Sequence, residues 1–182
     1  MAKGLRVLGH PLHAALSHAP MGLLGSAPLW DALGLWRGEG VWWAVSYWVV
    51  VAGLVAAAAA ATAGAVDYAA IEQGDPALDT GNRHLMLMLA ALAPFFLGMF
   101  ARGGPGGPGG WSAAAVLLLD GAGLLLLSVG GWYGGHLVYH HGVGVEPREA
   151  APPRTPVPTS GGAPRGASKG ETVSATPSRT SR

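Results

Sequence analysis

Long apolar segments dominate the chain up to about residue 140. A hydrocarbon core about 30 Å thick is crossed by roughly 20 mostly apolar residues in a helix. Stretches nearly free of Asp, Glu, Lys and Arg reach that length in four places. Backbone groups in lipid must be hydrogen-bonded within their own segment, which favours helices. We therefore predict an all-α fold, a four-helix transmembrane bundle, with helices at about residues 14–36, 41–66, 83–101 and 111–140. Apolar helices buried in a soluble bundle are the alternative.

The composition changes sharply after residue 145. Residues 146–182 are rich in Pro, Ser, Thr, Gly and Ala, with six basic and three acidic residues. Such a segment cannot bury a core, so we predict a disordered basic tail that follows a four-span domain over residues 1–145. The GGPGGPGG stretch at residues 103–110 is a flexible turn, because it lacks the Lys-Ser/Thr ending of a phosphate-binding loop.

Overall composition supports the membrane class. Only 12% of the residues are charged, about half the usual share of a soluble domain, and a net charge of +1 gives no reason to expect nucleic acid as a partner. The absence of cysteine excludes disulfides, iron–sulfur clusters and thiolate metal sites. Histidines and Pro11 interrupt the segment after Lys3 and Arg6, so we expect no cleaved signal peptide.

Positive charges near the span ends predict the orientation. With four spans, both termini and the connection between the second and third helices share one side. That side carries five positive residues, Lys3, Arg6, Arg83, Arg148 and Arg154, and the other carries two, Arg37 and Arg102. We expect a multi-pass protein of a bacterial-type inner membrane with cytoplasmic termini. The lipid bilayer is the expected partner, and redox partner proteins or a second copy are the others considered.

The histidines gather at the helix ends on the side of the termini. Histidine is the commonest metal ligand, and ionisable groups within spans often mark function. The alternating path brings together His10, His13, His18, His84, His136, His140 and His141, with Asp67 from the second helix.

Three uses of this cluster remain open. A b-type haem would take axial ligands from the deeper residues His18, His84 and His136. A non-haem copper or zinc site would draw on His10, His13, His140, His141 and Asp67, with His84 also available. Alternatively, the histidines lie at the headgroup level and hydrogen-bond to backbone carbonyls. Away from this cluster, Asp120 inside the fourth helix is costly in lipid unless it has a partner.

Several motifs in order resemble one bacterial membrane-protein family, called domain of unknown function 2231. The matching stretches are Gly9-His10-Pro11-Leu12-His13, residues 18–23, Asp31, residues 64–68, Asn82-Arg83-His84 and residues 134–145. The resemblance covers about residues 9–145. It implies a four-helix membrane domain without an established activity, grouped with two-haem membrane cytochromes, and some relatives are fused to Rieske-type domains.

Two departures from the family narrow this expectation. Ala14 stands where the family usually has proline, and the chain without cysteine has no iron–sulfur domain. Two haems would call for histidines at both membrane faces, so we expect one haem b or one transition metal. We predict a small electron-transfer subunit and see no nucleophile–base pair or nucleotide motif of an enzyme. The alternative is a structural or accessory membrane protein without cofactor.

Overall fold

The computed structural model describes residues 4–108 and 112–145. A short β-hairpin precedes four long helices. The elements are β1 (Arg6–Val7), β2 (His10–Pro11), α1 (Leu12–Arg37), α2 (Gly40–Ala69), α3 (Ala77–Ala101) and α4 (Ala113–Tyr139). The predicted tail at residues 146–182 and the predicted first residue of the fourth helix, Trp111, lie outside the described residues.

The fold is all-helical apart from the hairpin, and three of the four predicted spans are confirmed as long apolar helices. By length and composition α2, α3 and α4 can each cross a membrane. The helix α1 is long enough, with 26 residues, but it contains two histidines, Asp31 and two internal prolines. These polar and helix-disfavouring residues distinguish α1 from the other three helices.

Two helices extend past the apolar segments that the hydropathy pattern defines. The helix α2 continues from the predicted end at Val66 to Ala69, and α3 begins at Ala77, six residues before its predicted start. The Asp75 carboxylate accepts a hydrogen bond from Ala77 N at 2.8 Å, and Asp79 lies in the first turn, where a negative charge is favourable. Hydropathy misses this turn because it is polar.

The β-hairpin was not predicted. Its turn residues Leu8 and Gly9 have φ values of 51° and 82°, and two successive left-handed residues match the tight turn that twists with its strands. The Arg6 guanidinium donates to Gly9 O at 2.9 Å, and Leu5 N donates to Asp67 Oδ1 at 2.7 Å. The chain before α1 is thereby tied to the end of α2.

The first helical hairpin, α1–α2, and the second, α3–α4, are copies of one arrangement. Adding 71 to the numbers of four buried residues in α1 gives four buried residues in α3 or its C-terminal cap. The pairs are Pro20 and Ala91, Leu24 and Phe95, Ala27 and Gly98, and Asp31 and Arg102. Adding 70 does the same between α2 and α4. Those pairs are Ser46 and Val116, Val50 and Asp120, Gly53 and Gly123, Ala57 and Leu127, and Ala60 and Gly130.

This repeat gives the bundle a pseudo-two-fold axis. The side chains His13 and His84 meet near one end of α1 and α3, and Asp31 and Arg102 meet near the other, so these two helices run in the same direction. The axis therefore runs along the helices, as in membrane proteins built from parallel repeats. Each hairpin is packed more closely within itself than against the other.

Equivalent glycines permit the close packing inside each hairpin. A Cβ at Gly53 would lie 2.6 Å from Leu24 Cδ2, and a Cβ at Gly123 would lie 2.6 Å from Phe95 Cε2. Small residues at such positions allow membrane helices to approach each other. The large residue of α1 or α3 fills the space that the glycine of α2 or α4 leaves.

We expect Gly123→Ala to destabilise the protein by about 1–3 kcal/mol, because the added methyl group overpacks the contact with Phe95. Gly121→Ala is the matched control in the same helix, since a Cβ there has no atom within 4 Å, and it should be neutral or slightly stabilising. Denaturation in detergent micelles, followed by tryptophan fluorescence, measures both. Equal stability of the two variants would contradict the proposed packing.

Candidate functional site

The seven histidines lie where the chain enters α1, where α3 begins and where α4 ends. We call this the terminal end of the bundle and the opposite end the loop end. The structure divides the histidines into a pair, His13 and His84, a trio, His136, His140 and His141, and two separate residues, His10 and His18.

The histidine pair joins equivalent positions of α1 and α3. The ring centroids are 6.2 Å apart, with an angle of 77° between the ring planes. His13 Nδ1 lies 2.8 Å from Ala60 O of α2, and His84 Nδ1 lies 2.8 Å from Gly130 O of α4. A carbonyl oxygen only accepts hydrogen bonds, so each Nδ1 carries the proton and donates. In the neutral imidazole this leaves Nε2 as the nitrogen with a free lone pair.

A glycine opposite each imidazole makes these hydrogen bonds possible. Gly64 and Gly134 each follow an accepting residue by four positions, where a Cβ would lean back over that residue's carbonyl. A Cβ at Gly64 would lie 2.8 Å from His13 Nδ1, and one at Gly134 would lie 3.0 Å from His84 Cε1. Because Gly64 and Gly134 have no side chain, each imidazole can reach a backbone carbonyl oxygen within the neighbouring helix.

The histidine trio lies at the end of α4 and is more exposed. His136 and His140 stack with ring centroids 4.5 Å apart, and His141 meets each of them edge-on at 5.4 Å and 4.9 Å. One ligand nitrogen from each of the three residues lies within 4.8 Å of the others. Within the described residues, this is the group of three that has the spacing of a metal site.

The structure distributes the predicted haem ligands over three different surroundings. His84 belongs to the partly buried pair and His136 to the more exposed trio. His18 is exposed, and its Nδ1 lies 3.4 Å from Ala15 O. Five helical residues rotate the chain by about 500°, so His18 points about 140° away from His13.

The predicted metal ligands are divided in the same way. His13 joins the pair, and His140 and His141 join the trio, whereas His10 is exposed on β2. Asp67 accepts the hydrogen bond from Leu5 N. The sequence alone did not single out His13 and His84 as a pair. The two residues are 71 positions apart, the same offset that relates the buried residues of α1 and α3, and this repeat would have indicated the pair.

A buried ionic cluster occupies the loop end. The side chains of Arg102, Asp31, Asp120 and Ser46 are all fully buried. Arg102 Nη2 donates to Asp120 Oδ2 at 2.5 Å and to Asp31 Oδ2, and Arg102 Nε donates to Ser46 Oγ at 3.2 Å. Asp120 thus has the partner that its depth requires.

The cluster corrects the interpretation of Arg102 as a positive charge flanking a span. It lies inside the bundle between two carboxylates. Among the described residues, Arg102 Nη1 and Asp120 Oδ1 are buried with no hydrogen-bond partner. Polar atoms in this position are commonly satisfied by buried water. The signal in the sequence is that Asp31 follows His13 by 18 residues and Arg102 follows His84 by 18.

The pair and the ionic cluster lie at opposite ends of one apolar interior. A separation of 18 helical residues corresponds to about 27 Å. Between them lies a core of buried apolar residues that includes Leu24, Val50, Ala91, Phe95 and Leu127.

Outside the bundle, large apolar side chains are widely exposed, among them Val55, Met86 and Leu118, at 69%, 68% and 74%. Large apolar residues on the outside are the reverse of a soluble bundle, and small residues where helices meet are typical of helices packed in lipid. Fold and surface together define a helical, multi-pass membrane protein.

The chain belongs to the family described as predicted membrane protein (DUF2231), which matches residues 9–147. The resemblance seen in the sequence is thereby confirmed. That range includes the histidine pair, the histidine trio and the buried ionic cluster. No curated protein and no solved structure matches the chain.

We expect Arg102→Met to destabilise the protein by about 3–5 kcal/mol, because it leaves two buried carboxylates without their cation. Arg37→Met is the control at the same end of the bundle. Arg37 is half exposed and lies 3.9 Å from Glu39, so its loss should cost less than about 1 kcal/mol. Unfolding by a denaturing detergent, followed by circular dichroism, gives both values.

The exchanged pair Asp31→Arg with Arg102→Asp should recover part of the stability, because the pseudo-two-fold axis relates the two positions. The single exchange Asp31→Arg should remain destabilised, because it leaves Arg102 beside a second arginine. If the double variant loses as much stability as the sum of the losses in the two single variants, these side chains do not interact.

Proposed function

We propose that the protein is a four-span membrane redox subunit that holds one b-type haem between His13 and His84. The observation that carries the proposal is the arrangement of this pair. Two imidazoles from equivalent helices each donate a hydrogen bond from Nδ1 to a backbone carbonyl. Nε2 of each ring is left free to coordinate a metal.

The hydrogen bonds from Nδ1 of His13 and His84 to backbone carbonyls are those expected of metal-binding histidines. A ligating imidazole usually donates its other N–H to a carbonyl or carboxylate, which fixes the tautomer and the ring orientation. Here Ala60 and Gly130 supply the carbonyls at 2.8 Å. Since each acceptor lies on the other helix of the same hairpin, each hairpin holds its own imidazole in place.

The number of ligands favours haem over a bare metal ion. A metal ion held by protein alone usually has three or four protein ligands, and the hydrogen bonds of the pair involve no carboxylate. A haem iron needs only axial ligands from the protein. His13 and His84, with ring centroids 6.2 Å apart, are the residues that would hold the haem. When bound, the haem would supply one-electron transfer chemistry.

The proposal revises the ligand set expected from the sequence. His84 remains, and His13 replaces His18 and His136 as its partner. The competing function is an accessory protein without cofactor, in which the two imidazole–carbonyl bonds serve only to hold helices together. Such interhelical bonds contribute about 0.6–2 kcal/mol each in membranes.

Four spans follow if α1 crosses together with α3. A helix of 26 residues is about 39 Å long, and α1 contacts α3 or its C-terminal cap at two points about 27 Å apart. That distance approaches the hydrocarbon thickness of about 30 Å. Because Arg102 is buried in an ion cluster, the bias of exposed positive charge towards the terminal end becomes stronger, which supports cytoplasmic termini in a bacterial-type inner membrane.

We expect the full chain, purified in detergent from haem-replete cells without a polyhistidine tag, to show a Soret band and one haem per chain. His13→Ala and His84→Ala should each abolish stoichiometric haem, because each removes one of the two residues that would hold it. His18→Ala is the control and should retain it. Absorption spectra of the oxidised and reduced protein, with haem quantification, make the measurement.

A second comparison keeps both histidines. Gly134→Ala should reduce haem content by crowding His84, whereas Gly135→Ala should not, because a Cβ at Gly135 has no atom within 4 Å. No Soret band in any preparation would leave the accessory function. If only the His18 variant loses haem, His18 is a haem ligand, as expected from the sequence, and His13 is not.

The absence of cysteine permits a direct test of topology. In intact cells we expect Glu39→Cys to react with a membrane-impermeant maleimide and Glu72→Cys to be protected. Leu8→Cys tests whether α1 crosses the membrane. Leu8 is 95% exposed at the hairpin turn, and protection of its cysteine places it on the same side as residue 72. Labelling at residues 8 and 39 together would mean that α1 does not cross.

A further inference from the structure

We infer that the histidine trio is a metal site, separate from the pair His13 and His84, and that it binds one divalent transition-metal ion of the zinc type. It would hold the ion by three imidazoles at the surface of the terminal end. This inference does not depend on the proposed haem.

The end of α4 is built so that three histidines converge. His136 and His140 are four residues apart and share one face of the helix. The helix ends at Tyr139, and His141 N donates back to His136 O at 3.3 Å. Gly142 then takes a φ of 67°, and Val143 N donates to Leu137 O at 3.0 Å. This reversal keeps His141 beside the last turn.

The distances suit a tetrahedral ion after small side-chain movements. Zinc–nitrogen bonds of 2.0–2.1 Å place ligand nitrogens about 3.4 Å apart in a tetrahedron. The nitrogens of the trio lie within 4.8 Å of one another. Because His136 and His140 are exposed, their rings can rotate together without moving the core.

A neighbouring side chain orients the third ligand. Thr80 Oγ1, in the first turn of α3, lies 3.0 Å from His141 Nε2. If Nε2 donates to this hydroxyl oxygen, His141 presents Nδ1 to the ion. Such outer-shell bonds set ring orientation in metal sites. The site thus links the end of α4 to the start of α3.

Carboxylates beside the trio favour a cation. Asp67, Glu72, Asp75 and His141 line one cavity of about 130 Å³. Acidic side chains that line a cleft raise the local concentration of cations there. Imidazole ligands select zinc, copper or nickel over magnesium and calcium, which prefer oxygen. Three protein ligands leave a fourth position open for water or for exchange.

The test is a titration of the full-length, tag-free protein in detergent with ZnCl2, after removal of bound metal with a chelator. Isothermal calorimetry should find one zinc per chain. His140→Ala and His141→Ala should each weaken binding at least tenfold, because each removes a ligand. Thr80→Val should weaken binding about 10- to 100-fold, as loss of an outer-shell partner usually does. Magnesium should not bind at the same concentrations.

His10→Ala and His18→Ala are matched controls, since both residues are exposed histidines outside the trio, and they should change zinc affinity less than twofold. Thermal unfolding of each variant checks the fold. Zinc binding that survives both trio variants, or that the His18 variant weakens equally, would overturn the inference, as would no binding.

The haem spectrum separates this result from the proposed function. The variants of His140 and His141 should keep their Soret band, and the variant of His13 should lose haem while it keeps zinc.

Discussion

A guanidinium between two carboxylates fixes how the two hairpins fit together. Burying charge is costly, and the cost is offset only when the geometry of the partners is good. Arg102 meets Asp31 from the other hairpin and Asp120 from its own. A shift of α1 along α3 by one turn would separate these groups in an apolar environment. The ion cluster therefore selects the register of the hairpins, and this register places His13 opposite His84 about 27 Å away.

The partly buried pair and the more exposed trio differ in how their histidines are held. In the pair, backbone carbonyls and glycines determine both the tautomer and the approach of each ring. In the trio, a helix end and a left-handed glycine bring the rings together, and Thr80 orients one of them. A partly buried site with fixed ligands suits a permanently bound group, whereas an exposed site with movable ligands suits an ion that exchanges with solvent.

Hydropathy predicted the helical fold because lipid-facing helices need long apolar segments. It located α2 and α4 well, and it placed the histidines at one end. It did not find the first turns of α3, which are polar, or the hairpin at Leu8 and Gly9, whose two strand pairs are too short to show alternation. The family motifs contained most of the site residues but did not group them.

The grouping depends on rotation about each helix axis, which apolar content does not encode. His18 and His13 are close in sequence but point in different directions, so depth alone does not show which histidines can lie together. Arg102 adjoins a glycine-rich turn, which in sequence is the position of a flanking charge, but its side chain is fully buried. The repeat was the missing information, since it aligns Asp31 with Arg102 and His13 with His84.

The two halves match in backbone and burial but not in charge. Asp31 lies opposite Arg102, and Val50 occupies the position equivalent to Asp120. If the first hairpin of one chain paired with the first hairpin of another, two aspartates would face each other without a cation. Exchange between copies during insertion is therefore penalised, although the buried positions of the two hairpins correspond. The asymmetric charges therefore favour pairing of a first hairpin with a second hairpin over pairing of two first hairpins.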